Sequence, residues 1–357
     1  MGKIMNIIAI IIVFGVIVFV HEFGHFLFAK MNRIKVNEFS IGMGPSIASW
    51  TKKDTMYSIR ALPIGGYCLM EGMAEESDSV NGYNNKSPLA RLMVSFAGPL
   101  FNFILAFLFS IIICHFYTVD PPVITQIMEN SAAEEAGIQP GDEIISLDGQ
   151  RIYNYREITL YSMMHEYNHP VDIVFDHDGE RHEVTLTKKK DLETGNYYFG
   201  FISTGRASEG LADELKFAVL EVRFQIKAAV SSVKMLVTGH ASKDDLMGPV
   251  GIGNTMNDIM EDAKEEVKDE GAWKQFLNVF LNLINFAVLL SANLGVMNLL
   301  PVPALDGGKI LFVLIEAISG KRVPPEKEAI VNGIGVALLM LLMIFVFFND
   351  LGNVLHK

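Results

Sequence analysis

The chain has 357 residues, of which 50% are hydrophobic, and its mean hydropathy is +0.30. This composition excludes a disordered chain and predicts a membrane protein that also carries solvated domains. A formal net charge of −12 argues against nucleic acid as a partner, and two cysteines in separate segments (Cys68 and Cys114) form neither a disulfide framework nor a thiolate metal site.

The first apolar segment, residues 4–29, is long enough to span a bilayer, for which about 20 residues suffice. Its apolar run is longer than the core of a secretory signal peptide and no cleavage pattern follows, so we expect a membrane helix. Near its end stands the run HEFGH, residues 21–25. Ionisable groups are costly in a membrane, and they therefore mark a functional site.

The spacing of this run indicates a metal site. His21 and His25 are four residues apart, so they share one helix face and can ligate a single Zn²⁺. Glu22 lies near enough to act as general base on a zinc-bound water. The alternative is a helix end whose polar residues meet the lipid headgroups, but the demanding HExxH pattern favours the metal site.

Residues 37–72 have the alternation and the Gly and Pro punctuation of short strands, with a chain turn at Ile64-Gly65-Gly66-Tyr67. A small sheet directly after the metal helix can hold an extended peptide by strand addition. We therefore expect Gly65, Gly66 and Tyr67 to bind substrate. A plain connecting hairpin is the alternative.

Three further stretches are predicted to span the membrane, at residues 92–119, 276–305 and 329–348. A further candidate, residues 215–237, contains several charged residues and is predicted to be an amphipathic helix at a surface instead. In the second span, Gly98 and Asn102 lie on one helix face. Close helix packing is the favoured interpretation, and a place for Asn102 near the metal is the alternative.

Basic residues concentrate in the loops after span one and after span three, so the positive-inside rule places both loops in the cytosol. Spans one and three then run inward and end at the same depth. Asp306, which follows a Pro-rich stretch after span three, can therefore supply a third, oxygen ligand and leave a fourth position for water. A helix end followed by a simple Asp-Gly loop is the alternative.

The segment 120–205 reads as short strands, two helices and a hairpin with its turn at Asp178-Gly179. Together with the run AGIQPGD at 136–142, this order resembles a bacterial PDZ domain. Such domains bind peptide ends in a strand–helix groove. By that resemblance Phe199, Gly200 and Phe201 form the loop that holds a peptide carboxylate, although an ordinary strand is equally compatible.

Taken in order, five features resemble the bacterial site-2 protease family, the intramembrane zinc metalloproteases of the regulator-of-sigma-E protease type. They are HEFGH in the first span, the turn at 64–67, one PDZ-like domain, the run GPVG at 248–251, and residues 298–308 with their NxxPxP and LDGG patterns.

The resemblance implies one Zn²⁺ held by His21, His25 and Asp306, with Glu22 as catalytic base and Asn298 in contact with substrate. It implies single-span membrane proteins as substrates, including anti-sigma factors that an earlier site-1-type protease has trimmed, and signal-peptide remnants. Some members have two PDZ domains where this chain has one.

The predicted fold class is an α-helical polytopic membrane protein with four transmembrane helices, a small membrane-associated β-rich loop and one α+β PDZ-like domain. The predicted parts are transmembrane helix 1 with HExxH (1–31), the cytosolic-side β-rich loop (32–88), transmembrane helix 2 (89–119), the PDZ-like domain (120–205), an amphipathic and acidic connection (206–275), transmembrane helix 3 with LDGG (276–308), a cytosolic loop (309–328) and transmembrane helix 4 (329–349).

We expect a zinc metalloendopeptidase in the bacterial cytoplasmic membrane, with its active site toward the cytosol and the PDZ-like domain outside. One alternative is a non-catalytic, membrane-anchored PDZ adaptor. The intact Glu22 and only three protein ligands count against it, since a structural zinc normally has four. A transporter is a third hypothesis, which four spans without an evident repeat make weaker.

Overall fold

A computed structural model of the chain describes residues 2–73, 77–190, 197–239 and 247–355. Its packing separates two units, one formed by Met1–Phe109 with Ala229–Lys357 and the other by Ser110–Ala228. Each unit has hydrophobic clusters of its own.

The first unit begins with a membrane-length helix and a long hairpin. Helix α1 spans Gly2–Met31, because its apolar sequence holds no proline that would break the hydrogen-bond ladder. At 1.5 Å per residue it is roughly 45 Å long, more than a bilayer core requires. Strands β1 (Val36–Lys52) and β2 (Thr55–Met70) follow as an antiparallel pair with several register shifts.

Helix α2 spans Pro88–Phe116 and anchors this hairpin. A buried cluster joins the end of α1, both strands and the start of α2, so the hairpin is fixed where it leaves the membrane helix. The cluster consists of Ala29, Ile34, Val36, Phe39, Cys68, Met70, Tyr83 and Val94.

The second unit is an α+β domain with a four-stranded antiparallel sheet in the order β5-β4-β6-β7. Its elements in chain order are β3 (Gln126–Ile127), α3 (Ala132–Glu135), β4 (Glu143–Leu147), β5 (Gln150–Arg151), α4 (Arg156–Met164), β6 (Val171–His177), β7 (Glu180–Leu186), β8 (Lys189–Lys190), β9 (Tyr197–Tyr198), β10 (Phe201–Ile202) and α5 (Leu211–Val237), of which α5 continues into the first unit.

The turn between β6 and β7 lies where the sequence placed it. Asp178 (φ +51°) and Gly179 (φ +86°) both adopt the left-handed conformation that two-residue hairpin turns of type I′ require. The first strand of this domain, β3, is short and contains only Gln126 and Ile127.

Charged side chains of helix α5 form ion pairs with residues of α4. Glu157 of α4 is 0% exposed and accepts hydrogen bonds from Arg223 and, at 2.7 Å, from Nζ of Lys227. Glu221 pairs with Arg156. These pairs explain why the helix is amphipathic, since a buried carboxylate needs cationic partners.

The first unit resumes with α6 (Pro249–Glu266), α7 (Ala272–Leu299), α8 (Asp306–Ser319) and α9 (Pro325–Leu355). The sequence placed Asp306 at the end of the third span. Instead, α7 ends at Leu299, Pro301 and Pro303 follow, and Asp306 begins a separate helix. Helix α8 therefore occupies much of the segment 309–328 that was predicted as a loop.

Helices α1, α2, α7 and α9 are long and apolar enough to cross a membrane. Ile17, Leu105 and Ala287 form a buried cluster between the first three of them. These helices, the hairpin and the α+β domain confirm the predicted fold class. The candidate spans among the described residues are Asn6–Met31, Pro88–Phe116, Ala272–Leu299 and Glu326–Gly352.

Candidate metal centre

Three buried side chains from distant parts of the chain converge at one point. His21 and His25 lie one turn apart on α1, and Asp306 is the first residue of α8. The Nε2 atoms of the two histidines are 3.2 Å apart. Oδ2 of Asp306 lies 3.2 Å from Nε2 of His21 and 3.1 Å from Nε2 of His25. All three residues are buried.

These separations fit a tetrahedral zinc ion. Bonds from zinc to nitrogen or oxygen are about 2.0–2.1 Å long, so a tetrahedral angle places two ligand atoms roughly 3.3–3.4 Å apart. The measured distances of 3.1–3.2 Å are close to this value. Two nitrogens and one carboxylate oxygen are also a donor set of zinc enzymes that keep a fourth position open. No other trio of histidine, cysteine or carboxylate side chains in the described ranges has this geometry.

Hydrogen bonds on the far side of the ligands orient two of them. Nδ1–H of His25 donates to the backbone carbonyl of Val94 over 2.8 Å, a tautomer that leaves the lone pair on Nε2. Nζ of Lys309 donates to Oδ1 of Asp306 over 3.1 Å, so Oδ2 faces the histidines. The N-terminus of α8 also favours the negative charge of Asp306. Lys309 was not predicted as a site residue, since its only signal in the sequence is its position one turn after Asp306.

Two glycines allow α1 and α2 to lie close together at the site. A β-carbon on Gly24 would be 2.5 Å from the carbonyl oxygen of Ala97. A β-carbon on Gly98 would be 2.8 Å from Cε1 of His21 and closer still to Nε2 of His25. The close packing expected at Gly98 is therefore a contact with the two imidazole rings.

Helix α9 contacts the turn that precedes Asp306. Ala304 has φ +75°, which a residue with a β-carbon rarely adopts. Its backbone N–H donates to Oδ1 of Asn332 over 3.2 Å. A β-carbon on Gly335 would be 2.5 Å from that of Pro303, so α9 and this turn are in tight contact. The last span thus positions a residue of the site without contributing a ligand.

A cavity of ≈ 270 Å³ opens beside the three ligands. Glu22, Tyr67, Asn298 and Lys309 are among the residues that line it. Glu22 therefore shares one space with the ligand atoms and with two of the predicted substrate-binding residues.

The glycine pair expected to turn the chain lies inside β2. A β-carbon on Gly66 would be 3.5 Å from Cγ of Glu22, so the strand passes close to the predicted base. Gly65 (φ +82°) faces Met43, since a β-carbon there would be 2.9 Å from its sulfur, and Gly65 does not line the cavity. The structure thus brings Gly66 and Tyr67 to the site and turns Gly65 away from it.

Tyr67 forms a hydrogen bond with a buried carboxylate of β1, that of Glu38. Glu38 is buried, and its Oε1 accepts hydrogen bonds from Ser58 over 2.5 Å and from Arg60 over 2.6 Å. Burial alone would raise the pKa of Glu38, but the hydrogen bonds from Ser58, Arg60 and Tyr67 outweigh it and lower that pKa. The guanidinium of Arg60 also lies 5.1 Å from the centre of the Tyr67 ring.

The residues predicted to hold a peptide carboxylate lie in the second unit. The rings of Phe199 and Phe201 are buried in its core and stack with centroids 5.5 Å apart. Gly200 has φ +98°, and its carbonyl accepts the backbone N–H of Met128 over 2.7 Å. Because both rings are buried, this segment could contact a peptide only through its backbone. The peptide-binding groove stays a prediction.

The chain is similar to known zinc metalloproteases. The family model described as Peptidase family M50 matches residues 9–342. A Clostridium acetobutylicum protein assigned as a zinc metalloprotease is 38% identical over 345 residues, 97% of each chain. The zinc metalloprotease RasP of Geobacillus kaustophilus is 31% identical over 97% of each chain. The regulator of sigma-W protease RasP of Bacillus subtilis is 30% identical, over 97% of this chain and 98% of the relative.

Among solved structures, the PDZ domain of an SdrC-like protein from Listeria monocytogenes aligns with 24% of this chain and 87% of its own length. The sequence identity is 18% and the TM-score is 0.21.

Proposed function

The chain belongs to peptidase family M50, and from this premise we propose that it hydrolyses peptide bonds within or near the membrane-spanning segments of single-span proteins. It is a membrane zinc metalloprotease of the kind that acts in regulated intramembrane proteolysis. The proposal concerns which residues perform the reaction and which substrates they meet.

One observation carries the assignment of residues. The ligand atoms of His21, His25 and Asp306 stand 3.1–3.2 Å from one another and share a cavity with Glu22. Three buried lone-pair donors at this spacing suit one cation, because without it their lone pairs would repel each other. We assign these residues as the ligands of one Zn²⁺.

The chain's own residues then have distinct tasks. Bound zinc supplies Lewis-acid polarisation of the scissile carbonyl and activation of the attacking water. The carboxylate of Glu22 accepts the proton of that water and later donates it to the leaving amine. Asn298, which also lines the cavity, is proposed to hydrogen-bond the substrate backbone.

The hairpin provides a place for an extended substrate. A helical peptide bond is hydrogen-bonded and shielded, so a membrane-spanning substrate has to unwind locally before it is cut. Strand β2 pairs only with β1 among the described residues, and its segment at Gly66 and Tyr67 lies beside Glu22. We propose that the unwound substrate adds to β2 as a further strand.

Topology and substrates follow from the sequence and from the relatives. We place the protein in the bacterial cytoplasmic membrane with the metal centre toward the cytosol and the PDZ-like domain outside, since the basic loops are the expected cytosolic ones. The Bacillus subtilis relative is named a regulator of sigma-W protease. We therefore propose anti-sigma factors as substrates, with an upstream site-1-type protease cutting first, and signal-peptide remnants as a second class.

The test compares wild type with Glu22→Gln in proteoliposomes, using tagged single-span proteins of both classes and assaying zinc content alongside. We expect cleavage by wild type only, and about one zinc in both proteins. The exposed Glu129 of the second unit provides a matched control, because Glu129→Gln makes the same change in charge at a residue that does not line the cavity, and it should cut like wild type.

Equal cleavage by wild type and Glu22→Gln would remove Glu22 from the mechanism. Zinc binding without cleavage of any substrate would instead support the adaptor hypothesis. Cleavage outside the membrane-spanning segment and its borders would contradict the intramembrane assignment.

A further inference from the structure

Asn102 of α2 is completely buried beside one of the proposed ligands. Its Nδ2 lies 3.1 Å from Nδ1 of His21. Its other amide atom, Oδ1, is buried without a hydrogen-bond partner in the described part of the chain. The backbone carbonyl of Asn102 accepts the hydroxyl of Ser291 in α7 over 2.8 Å, so the residue is held in place between helices.

The protons on His21 decide which end of this amide can face it. A neutral imidazole has one N–H and one lone pair. Nε2 of His21 points at His25 and Asp306, so binding a cation there uses the Nε2 lone pair. The proton must then sit on Nδ1, which becomes a donor. If the amide N–H₂ of Asn102 faced Nδ1–H of His21, two hydrogen-bond donors would face each other without an acceptor.

Rotating the side-chain amide by half a turn resolves this conflict. The rotation exchanges Nδ2 and Oδ1 and leaves the backbone of α2 and the bond from Ser291 unchanged. Oδ1 then accepts Nδ1–H of His21, and Nδ2 takes the buried position in which Oδ1 had no partner. His25 is held in the same way, since its Nδ1–H donates to the carbonyl of Val94.

We propose that Asn102 is a positioning residue for the metal centre: its Oδ1 accepts Nδ1–H of His21 and so selects the tautomer whose Nε2 binds zinc. The inference rests on the proposed function, because it takes His21 to be a ligand. It assigns a task to Asn102 beyond helix packing. Gly98, one turn earlier on the same face of α2, gives the imidazoles room, and Asn102 sets the protonation of one of them.

The experiment measures zinc affinity of the purified full-length chain by competition with a chelator of known affinity. Asn102→Leu keeps a similar volume but has no acceptor, and zinc affinity should fall 10–100-fold, as is typical when the outer partner of a ligand is lost. Asn102→Asp offers only acceptors, and it should bind zinc much more tightly than Asn102→Leu does. Unchanged affinity in the Leu variant, or equal losses in both variants, would overturn the proposal.

Two further measurements guard against a folding defect. Ser291→Ala removes the bond to the backbone of Asn102 but not the amide itself, so it should weaken zinc binding less than Asn102→Leu. In wild type loaded with zinc, the ¹⁵N shifts of His21 should show a protonated Nδ1. This readout needs no variant at residue 102, and an unprotonated Nδ1 would refute the inference.

The same data separate this inference from the proposed function. If wild type binds no zinc, the metal-centre assignment fails and the role of Asn102 fails with it. If wild type binds zinc and Asn102→Leu binds it equally well, only the role of Asn102 fails.

Discussion

Replacing Gly98 by alanine is a stringent test of the metal centre, because it adds one methyl group against both imidazoles. The added β-carbon would lie 2.8 Å from Cε1 of His21, whereas an ordinary contact begins near 3.4 Å. Closer overlap occurs with His25, whose ring is tied to the carbonyl of Val94. The rings or the helix must therefore move by at least about 0.6 Å, even at the His21 contact.

The size of the effect follows from that displacement. A misplacement on the order of 1 Å costs about 100-fold in rate, and a tenfold loss corresponds to about 1.4 kcal/mol of activation free energy. We expect Gly98→Ala to lower kcat/KM by roughly 10- to 100-fold and to weaken zinc binding. In a helix without such a contact, Gly→Ala would raise the free energy of unfolding by roughly 0.5–1 kcal/mol. A loss of activity and of zinc binding would therefore come from the overlap with the imidazoles and not from helix propensity.

The assay is cleavage of a single-span reporter in proteoliposomes, with zinc content measured on the same samples. Gly333→Ala in α9 is the matched control, because a β-carbon at that helical position meets nothing within 4 Å. The control should cleave at the wild-type rate. If Gly98→Ala also retained wild-type rate and zinc content, the packing of α2 against the ligand rings would be wrong.

Two further predictions concern charged groups, one in each unit. Lys309→Met removes the donor to Oδ1 of Asp306 and should weaken zinc binding about tenfold or more, measured by chelator competition; unchanged affinity would show that Asp306 needs no such partner. In the α+β domain, the hydrogen bond to Asp142 (2.6 Å) raises the pKa of His177. The hydrogen bond therefore stabilises the fold fully at a pH below the ordinary histidine pKa near 6.5. This stabilisation is lost as the pH rises through the raised pKa of His177. Histidine NMR of the full-length protein should show this raised pKa, and Asp142→Asn should reduce the shift, leaving the smaller effect of Asp178 and Asp176.

Local features of this protein followed from the sequence because they depend on neighbours along the chain. A helix has 3.6 residues per turn, so the spacing of His21 and His25 already placed two candidate ligands on one face. Apolar length predicted the four membrane-length helices, and Asp178-Gly179 predicted the turn between β6 and β7. Each of these signals lies within a few turns of helix or one hairpin.

The sequence identified Asp306 only through topology and resemblance. Spans one and three had to end at the same membrane depth for it to meet the histidines. Pro301 and Pro303 predicted a local break in the third span, but the sequence did not predict that a separate helix, α8, begins at Asp306. The periodicity of β2 likewise could not tell that Gly65 turns toward Met43 while Gly66 faces Glu22.

The outer partners of the ligands were decided by tertiary structure. The carbonyl of Val94, the amide of Asn102 and the ammonium of Lys309 come from α2 and α8, and only the packing of these helices against α1 brings them to the site. The sequence by itself predicted the candidate ligands and the membrane-length helices, since both depend on residue type and short-range spacing. Which nitrogen carries a proton and which oxygen faces the metal depends on contacts between distant segments, so only the folded structure determines them.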